Sequence, residues 1–349
     1  MNPGYLSLIV LAAVMGAVLL LPFSFKKAEE ELEIFLFIMG LVAVTVSGLW
    51  SRRLLADTLL APAPIAVAVF LAGLVFRAAR PHVRSAVHRT VQRFGLRPAA
   101  AGCIFALGLV SSLSTAVIAA LVWTDVAGAL LLDRAGKVRL TVCACFAIGL
   151  GSILTPLGGP LSAIVSAQLQ GPPHPADFLF LARLLAWWVV PGVALTAVWA
   201  AVGPGAAALA LEACPEIQPE AGAQIAARAG KIYIFVAGLT LLGAGLAPVA
   251  AAWVARLPEP ALFWFNSVSA ALDNATLAAV EISPDMTSRK LVFALLGLLI
   301  SGGMLIPGNI PNIVCAAKLG IRSREWAAAA VPMGLAMMTG CFLLLMLLR

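Results

Sequence analysis

Uninterrupted apolar runs, each long enough to cross a lipid bilayer, constrain this sequence more than any other feature. They extend over residues 5–22, 33–50, 58–76, 178–202, 231–255 and 327–348. A membrane-spanning helix needs about 20 apolar residues, and its backbone polar groups bond within the helix because lipid offers them no partner. These runs predict an all-α integral membrane protein.

The composition excludes most other classes of protein. Hydrophobic residues make up 62% of the chain and charged residues only 11%, whereas an average soluble domain carries about 25% charged residues. Continuous runs argue against a β-barrel, whose strands alternate apolar and polar residues. The chain has no C-x-x-C pair, no H-E-x-x-H motif and no P-loop. We therefore expect no enzyme activity and no cofactor besides coupling ions, Na⁺ or H⁺.

Further apolar segments are interrupted, and they are 99–132, 140–169, 261–288 and 291–317. The first and third contain short polar breaks, Ser111–Thr115 and Leu272–Thr276. The second and fourth contain breaks that both fit G-x-x-L-x-P-x-x-x-P, starting at Gly151 and Gly302. Each half of the chain thus has a polar break followed by a Gly/Pro break. A duplicated unit is the simplest account of this order.

The distribution of positive charge predicts how these segments meet the membrane. Suppose that the N-terminus is outside and that 99–132 and 261–288 return to their own side. Most Lys and Arg residues then lie in inside loops, whereas full crossings divide them almost evenly. The positive-inside rule favours the returning segments. We therefore expect two inverted repeats, each with a re-entrant helical hairpin and a broken transmembrane helix, and binding at the midplane.

The predicted organisation has four parts. Residues 1–98 form N-terminal scaffold spans and a basic cytoplasmic segment, which we expect to touch anionic lipid. Residues 99–202 form the first repeat core, 203–230 a linker, and 231–349 the second repeat core. The basic residues stand in short loops, which argues against nucleic-acid binding. We expect a multi-pass protein of the inner (plasma) membrane.

The Gly/Pro breaks predict unwound backbone inside the membrane. Gly158 and Gly159 in the first break, and Gly308 and Asn309 in the second, would unwind their helices. Unwinding frees carbonyl groups that can coordinate a cation, and it exposes half-helix N-termini that favour an anion. A simple kink or close helix packing is the alternative interpretation.

Asp273 stands in the middle of an apolar segment, where a carboxylate costs about 2.5–3.5 kcal/mol on insertion scales. With Asn274 and Thr276 it supplies the oxygen ligands that hard cations prefer, such as a transported Na⁺. It could instead bond the hairpin backbone. Its counterparts in the first half, Ser114 and Thr115, are neutral. Candidates for a second carboxylate, which follow the two polar breaks, are Asp125 and Glu281.

The segment Ser269–Asn274 resembles the Leu-Asp-Asn hairpin tip of NhaD-type sodium/proton antiporters. The paired Gly/Pro breaks resemble the broken helices of the ion transporter superfamily, which includes arsenite permeases and divalent-anion/sodium symporters. In length and motif the chain most resembles that superfamily's family of uncharacterised cation transporters. The resemblance covers roughly 99–349. It implies opposed hairpins, a scaffold that often dimerises, and elevator-like alternating access.

The resemblance also implies a set of site residues. Ser114 and Thr115 would stand at the first hairpin tip, and Asp273, Asn274 and Thr276 at the second. The first unwound loop would include Thr155, Gly158 and Gly159, and the second Gly308, Asn309 and Asn312. The first tip lacks the Asn of the Ser-Asn-Thr signature of dicarboxylate carriers, and the second has Asp in place of its Ser. These departures do not favour a dicarboxylate substrate.

The sequence thus leads to two hypotheses. In the first, the protein is a secondary active transporter of a monovalent cation, resembling Na⁺/H⁺ exchangers, with Asp273 as the titratable ligand. In the second, it is a sodium-coupled carrier of a small anion or oxyanion, held by the half-helix N-termini after Gly159 and Asn309. The expected partners are the transported ion, membrane lipid and a second copy of the chain.

Overall fold

The computed structural model describes residues 5–24, 31–60, 89–130, 132–170, 172–202, 222–254 and 257–348, with scattered positions from 62 to 85. The helices are, in chain order, α1 (Tyr5–Ser24), α2 (Leu32–Ser47), α3 (Arg52–Leu60), α4 (Leu96–Val110), α5 (Ala116–Ala129), α6 (Arg134–Gly151), α7 (Pro160–Gln168), α8 (Phe180–Val202), α9 (Gly222–Val254), α10 (Glu259–Phe265), α11 (Asn274–Glu281), α12 (Ser288–Ser301), α13 (Ile310–Leu319) and α14 (Ser323–Leu347).

Four helices of the described part are long and apolar enough to cross a membrane. They are α6 with its 3₁₀ extension to Leu154, α8, α9 and α14. Their length and composition confirm the prediction of a helical membrane protein. About 33% of the apolar stretch is buried inside the protein in α8 and in α14, against 78% in α6.

The helices break where the Gly/Pro motifs predict. Helix α6 ends at Gly151, and α7 begins at Pro160 after one 3₁₀ turn. Helix α12 ends at Ser301, and α13 begins at Ile310 with Pro311 in its first turn. A proline in the first turn of a helix lacks only an N–H that would have no intrahelical partner, so it starts each second half at little cost.

The polar breaks also separate pairs of helices. The first break joins α4 to α5 through a turn at Ser111–Ser114, and Thr115 caps α5. In the second break α10 continues as a 3₁₀ segment, Asn266–Ala270, before Asp273 caps α11. Each break therefore ends in a residue whose side chain accepts a hydrogen bond from the next helix.

Parts of the predicted organisation differ from the structure or lie beyond what it describes. The predicted linker 203–230 is shorter than expected, because α9 already begins at Gly222. The remainder, 203–221, lies outside the described residues, as do 8 of the 19 residues of the predicted span 58–76 and half of the basic segment 77–98.

Glycines allow α2 and α9 to pack backbone against backbone. A side chain at Gly238 would meet the backbone of Phe37, and one at Gly245 would meet Ala43. Small residues at such crossings let membrane helices approach closely and gain van der Waals contact. Helices α1 and α3 also pack against this pair. Helices α6 and α12 are buried, and the other helices among α4 to α8 and α10 to α14 pack around them.

A similar contact fixes α4 against α6. A side chain at Gly151 would overlap the backbone carbonyl of Gly108, and no flexible group is there to move aside. This contact sets the position of the first polar break relative to the first Gly/Pro break, because Gly151 ends α6 just before the unwound loop.

Gly151→Ala should therefore lower the free energy of unfolding by about 1–3 kcal/mol or more, the usual cost of overpacking. The matched control is Gly340→Ala in α14, where a Cβ meets nothing within 4 Å and alanine favours the helix by about 1 kcal/mol. Melting temperatures in detergent micelles measure both changes. Equal melting of Gly151→Ala and the wild type would contradict the packing.

Candidate functional site

The N-termini of four helices surround one cavity of about 480 Å³. The lining includes the cap residues of α5, α7, α11 and α13, which are Thr115, Gly159, Asp273 and Asn309. Pro64 also lines the cavity. Two of these helices follow the polar breaks and two follow the Gly/Pro breaks. The four interruptions in the sequence therefore meet at one place.

Side chains cap two of the four N-termini. The Thr115 hydroxyl accepts a hydrogen bond from the backbone N–H of Ile118 at 3.2 Å. Asp273 Oδ2 accepts from the backbone N–H and from the hydroxyl of Thr276, each at 3.2 Å. Thr115 and Asp273 thus occupy equivalent positions, and only the second carries an ionisable group.

The electrostatics of the cavity combine four helix dipoles with one carboxyl group. A helix N-terminus acts as roughly half a positive charge, and the effect falls off within the first turn. Among the described residues that line the cavity, Asp273 is the one ionisable side chain. The arrangement can therefore hold Asp273 as a carboxylate, and it can also hold a small anion.

The two halves hold their breaks with matching hydrogen bonds. Ser111, one helical turn before the cap Thr115, donates to the carbonyl of Ile148 on α6 at 3.0 Å. Ser269, one turn before the cap Asp273, donates to the carbonyl of Leu298 on α12 at 3.3 Å. The second half adds Ser301, whose hydroxyl lies 2.6 Å from that of Ser269.

Side chains also hold the unwound loops in place. Thr155 donates to the carbonyl of Ser112, which ties the first loop to the first polar break. The Asn312 amide donates to the carbonyls of Gly302 at 2.8 Å and Leu305 at 2.9 Å. These bonds satisfy backbone carbonyls that lack a helical partner. An unpaired carbonyl is costly in an apolar interior.

Backbone carbonyls converge near Gly308. A side chain at this position would meet the carbonyl oxygens of Gly302, Ser269 and Ala270, each within 2.9 Å. They come from the second unwound loop and from the 3₁₀ segment before Asp273. Hard monovalent and divalent cations prefer such oxygen ligands, and only glycine leaves the space between them open.

The structure brings together some of the residues predicted for the site. The cavity is lined by Thr115, Gly158, Gly159, Asp273, Asn274 and Asn309. The other predicted residues are not part of the lining, and they are Ser114, Thr155, Thr276, Gly308 and Asn312. Of these, the Ser114 hydroxyl donates to the carbonyl of Val110, the last residue of α4, at 3.1 Å, and Thr276 packs on Gly243 of α9.

The two candidate second carboxylates lie away from the cavity lining. Asp125 on α5 forms an ion pair with Lys318 on α13 at 3.0 Å. The pair is largely buried. It links α5, which follows the first polar break, to the C-terminal end of α13, which follows the second Gly/Pro break. Glu281 is buried at the end of α11 and contacts Asn266.

Sequence reasoning missed Asn266, Lys318 and Gly243. Asn266 is fully buried, and its amide joins Glu281 to α12. The available signal was an Asn directly after the apolar run 261–265, followed by Ser267 and Ser269. The described residues contain no group of three or more His, Cys, Asp or Glu side chains that could hold a metal ion.

Comparison with known families covers nearly the whole chain. The chain belongs to the DUF1646 family, proteins of unknown function. The family model matches residues 7–348, so it includes both pairs of breaks and the cavity. No curated protein matches the chain. Membership of the DUF1646 family therefore assigns no activity to the chain.

The cap at Asp273 gives a test of the site's architecture. Asp273→Asn should keep nearly the stability of the wild type, because Asn accepts the same bonds and caps helices as well as Asp does. Asp273→Ala should lose about 1 kcal/mol, since the N–H groups of α11 lose their acceptor. Melting temperatures of the purified proteins compare the two. Equal losses in both variants would show that Asp273 is not a cap.

Proposed function

We propose that this DUF1646 protein is a secondary active transporter that exchanges a monovalent cation, with sodium as the first candidate, for protons. The cavity among the four helix N-termini is its binding site. The observation that carries the proposal is Asp273, which stands at the cavity with no described ionisable neighbour in the lining. A carboxyl group in such a place is costly in a membrane protein and marks an ion pathway by default.

Competition for one carboxyl group gives exchange. Asp273 can hold a proton or neutralise a cation, and binding one displaces the other. Asn274 in the lining offers a further oxygen atom, and the carbonyls near Gly308, which lie outside the lining, offer others. Thr276, which donates to Asp273 Oδ2, keeps the carboxyl group oriented. Thr115 and the first unwound loop supply the part of the lining that comes from the first half.

We further propose that the two halves are inverted repeats with re-entrant hairpins, as in the ion transporter superfamily. The matching bonds of Ser111 and Ser269 support this proposal, because they join equivalent positions of the polar and Gly/Pro breaks. The charge distribution supports an N-terminus outside the inner membrane. Elevator-like alternating access and a homodimer belong to the same proposal.

A second function is favoured by the helix dipoles. Four N-termini facing one cavity are suited to a small anion or oxyanion, which sodium bound near Gly308 would help to hold. In this version the protein is a sodium-coupled anion carrier. The lining has no described basic side chain to fix an anion, so the helix N-termini would do all the recognition.

Proton movement in reconstituted vesicles tests the first function. A pH-sensitive dye inside the vesicles reports proton movement when sodium, potassium or lithium is added outside. We expect a response to at least one cation in the wild type and none in Asp273→Asn, which cannot exchange a proton there. Asp285→Asn, which removes an exposed carboxyl group in the loop after α11, should respond like the wild type.

Either of two results would overturn cation/proton exchange. One is an equal response in Asp273→Asn and the wild type, and the other is a folded wild type that responds to no cation. The second function then becomes the leading one if the same vesicles accumulate a radiolabelled oxyanion only when sodium is present.

A further inference from the structure

Glu281 is a buried carboxyl group that the cavity does not use. It is the last residue of α11 and is 3% exposed. The rise of a helix places it about 12 Å from Asp273, at the opposite end of the same short helix. Its Oε2 atom accepts from the Asn266 amide at 3.1 Å, and its Oε1 atom has no hydrogen-bond partner within the described residues.

The Asn266 amide has no further proton to give. Its two N–H groups donate to Glu281 Oε2 and to the carbonyl of Ala294 at 2.9 Å. Because the Ala294 carbonyl can only accept, a flipped amide with its oxygen in the place of its nitrogen would lose this hydrogen bond. Its oxygen Oδ1 is buried and, in the part of the chain that the structure describes, also lacks a partner. Within the described residues the pair therefore contains two acceptors without a donor, Asn266 Oδ1 and Glu281 Oε1, and no unused donor of its own.

No ion pair to Glu281 is found among the described side chains of the neighbouring elements. Those packed against α11 are α7, α9, α12 and the segment Asn266–Ala270. Lys231 on α9 pairs with Glu33 at 2.5 Å, and Arg289 on α12 pairs with Glu259 at 3.0 Å. No described side chain of these elements other than Asn266 hydrogen-bonds Glu281. The basic residues that they carry are Arg228, Lys231, Arg289 and Lys290.

A proton is the simplest addition that completes this pair. A protonated carboxyl group becomes a donor as well as an acceptor, whereas an ionised one with a single neutral donor is left poorly compensated in an apolar interior. We infer that Glu281, supported by Asn266, is a second proton-binding site, which gains and loses a proton in each transport cycle. The proton has a short route to solvent, because α11 ends there and the loop that follows includes the exposed Asp285.

This inference rests on the proposed exchange for its role in transport, but the binding of the proton can be tested without transport. Infrared spectroscopy resolves the carbonyl stretch of a protonated carboxyl group. In the wild type a band from a buried carboxylic acid should weaken as the pH of the sample is raised. Glu281→Gln should lack that band, and Asp285→Asn should retain it. A spectrum in which no buried band changes with pH, or one unchanged by Glu281→Gln, would overturn the site.

Vesicle assays then test its role in the cycle. Glu281→Gln keeps the shape of the side chain and supplies an N–H donor in place of the carboxyl proton, so it should fold. We expect it to move fewer protons for each cation than the wild type, with cation transport retained. Asp273→Asn should lose both. An unchanged proton-to-cation ratio in Glu281→Gln would overturn the role in the cycle.

The two proposals fail in different ways. If the infrared band changes with pH but no cation moves protons, the proton site stands and the exchange function falls. If cations move protons and the wild-type band is insensitive to pH, the exchange stands and the second proton site falls. If Glu281→Gln does not fold, the same measurement on Asp273→Asn, which lacks the other proposed proton-binding carboxyl group, decides this point: a band that still weakens as the pH is raised supports Glu281, and its absence overturns the site.

Discussion

The need to satisfy the backbone where helices are interrupted governs this structure. Each of the four breaks removes helical hydrogen bonds in an apolar environment, where an unpaired polar group is costly. Short polar side chains replace them, such as Ser111 on Ile148, Thr155 on Ser112 and Asn312 on Gly302. The bonds of Ser111 and Thr155 join the first polar break to the first broken helix, and Ser269 joins the second break to α12. The Asn312 bond closes the second broken helix across its own unwound loop. Together these bonds hold the four helix N-termini around one cavity.

The cavity is a consequence of that arrangement rather than of any one residue. Two polar breaks and two Gly/Pro breaks each deliver a helix N-terminus, and their dipoles add where they meet. Asp273 then makes the two halves chemically different, because its counterpart Thr115 is neutral. This asymmetry places an ionisable group at one of the two side-chain-capped N-termini and none at the other.

Glycine has two different roles in this protein. At Gly151 and Gly308 it lets backbone carbonyls approach positions that a side chain would fill. At Gly238 and Gly245 it lets α9 pack closely on α2. Gly243 on α9 combines the two roles, because its lack of a side chain makes room for Thr276, the residue that orients Asp273. The packing of α9 and the geometry of the site are therefore coupled at one contact.

Local patterns in the sequence determined the helical fold and the four breaks. Apolar runs and prolines in first turns act within one or two helical turns, so the sequence reveals them directly. Only the tertiary structure decided which polar groups meet. Asp125 finds Lys318, and Glu281 finds Asn266, across separations that no local pattern encodes. The tertiary structure also placed Thr155 and Asn312 outside the cavity lining, where their side chains donate to the backbone carbonyls of Ser112 and Gly302.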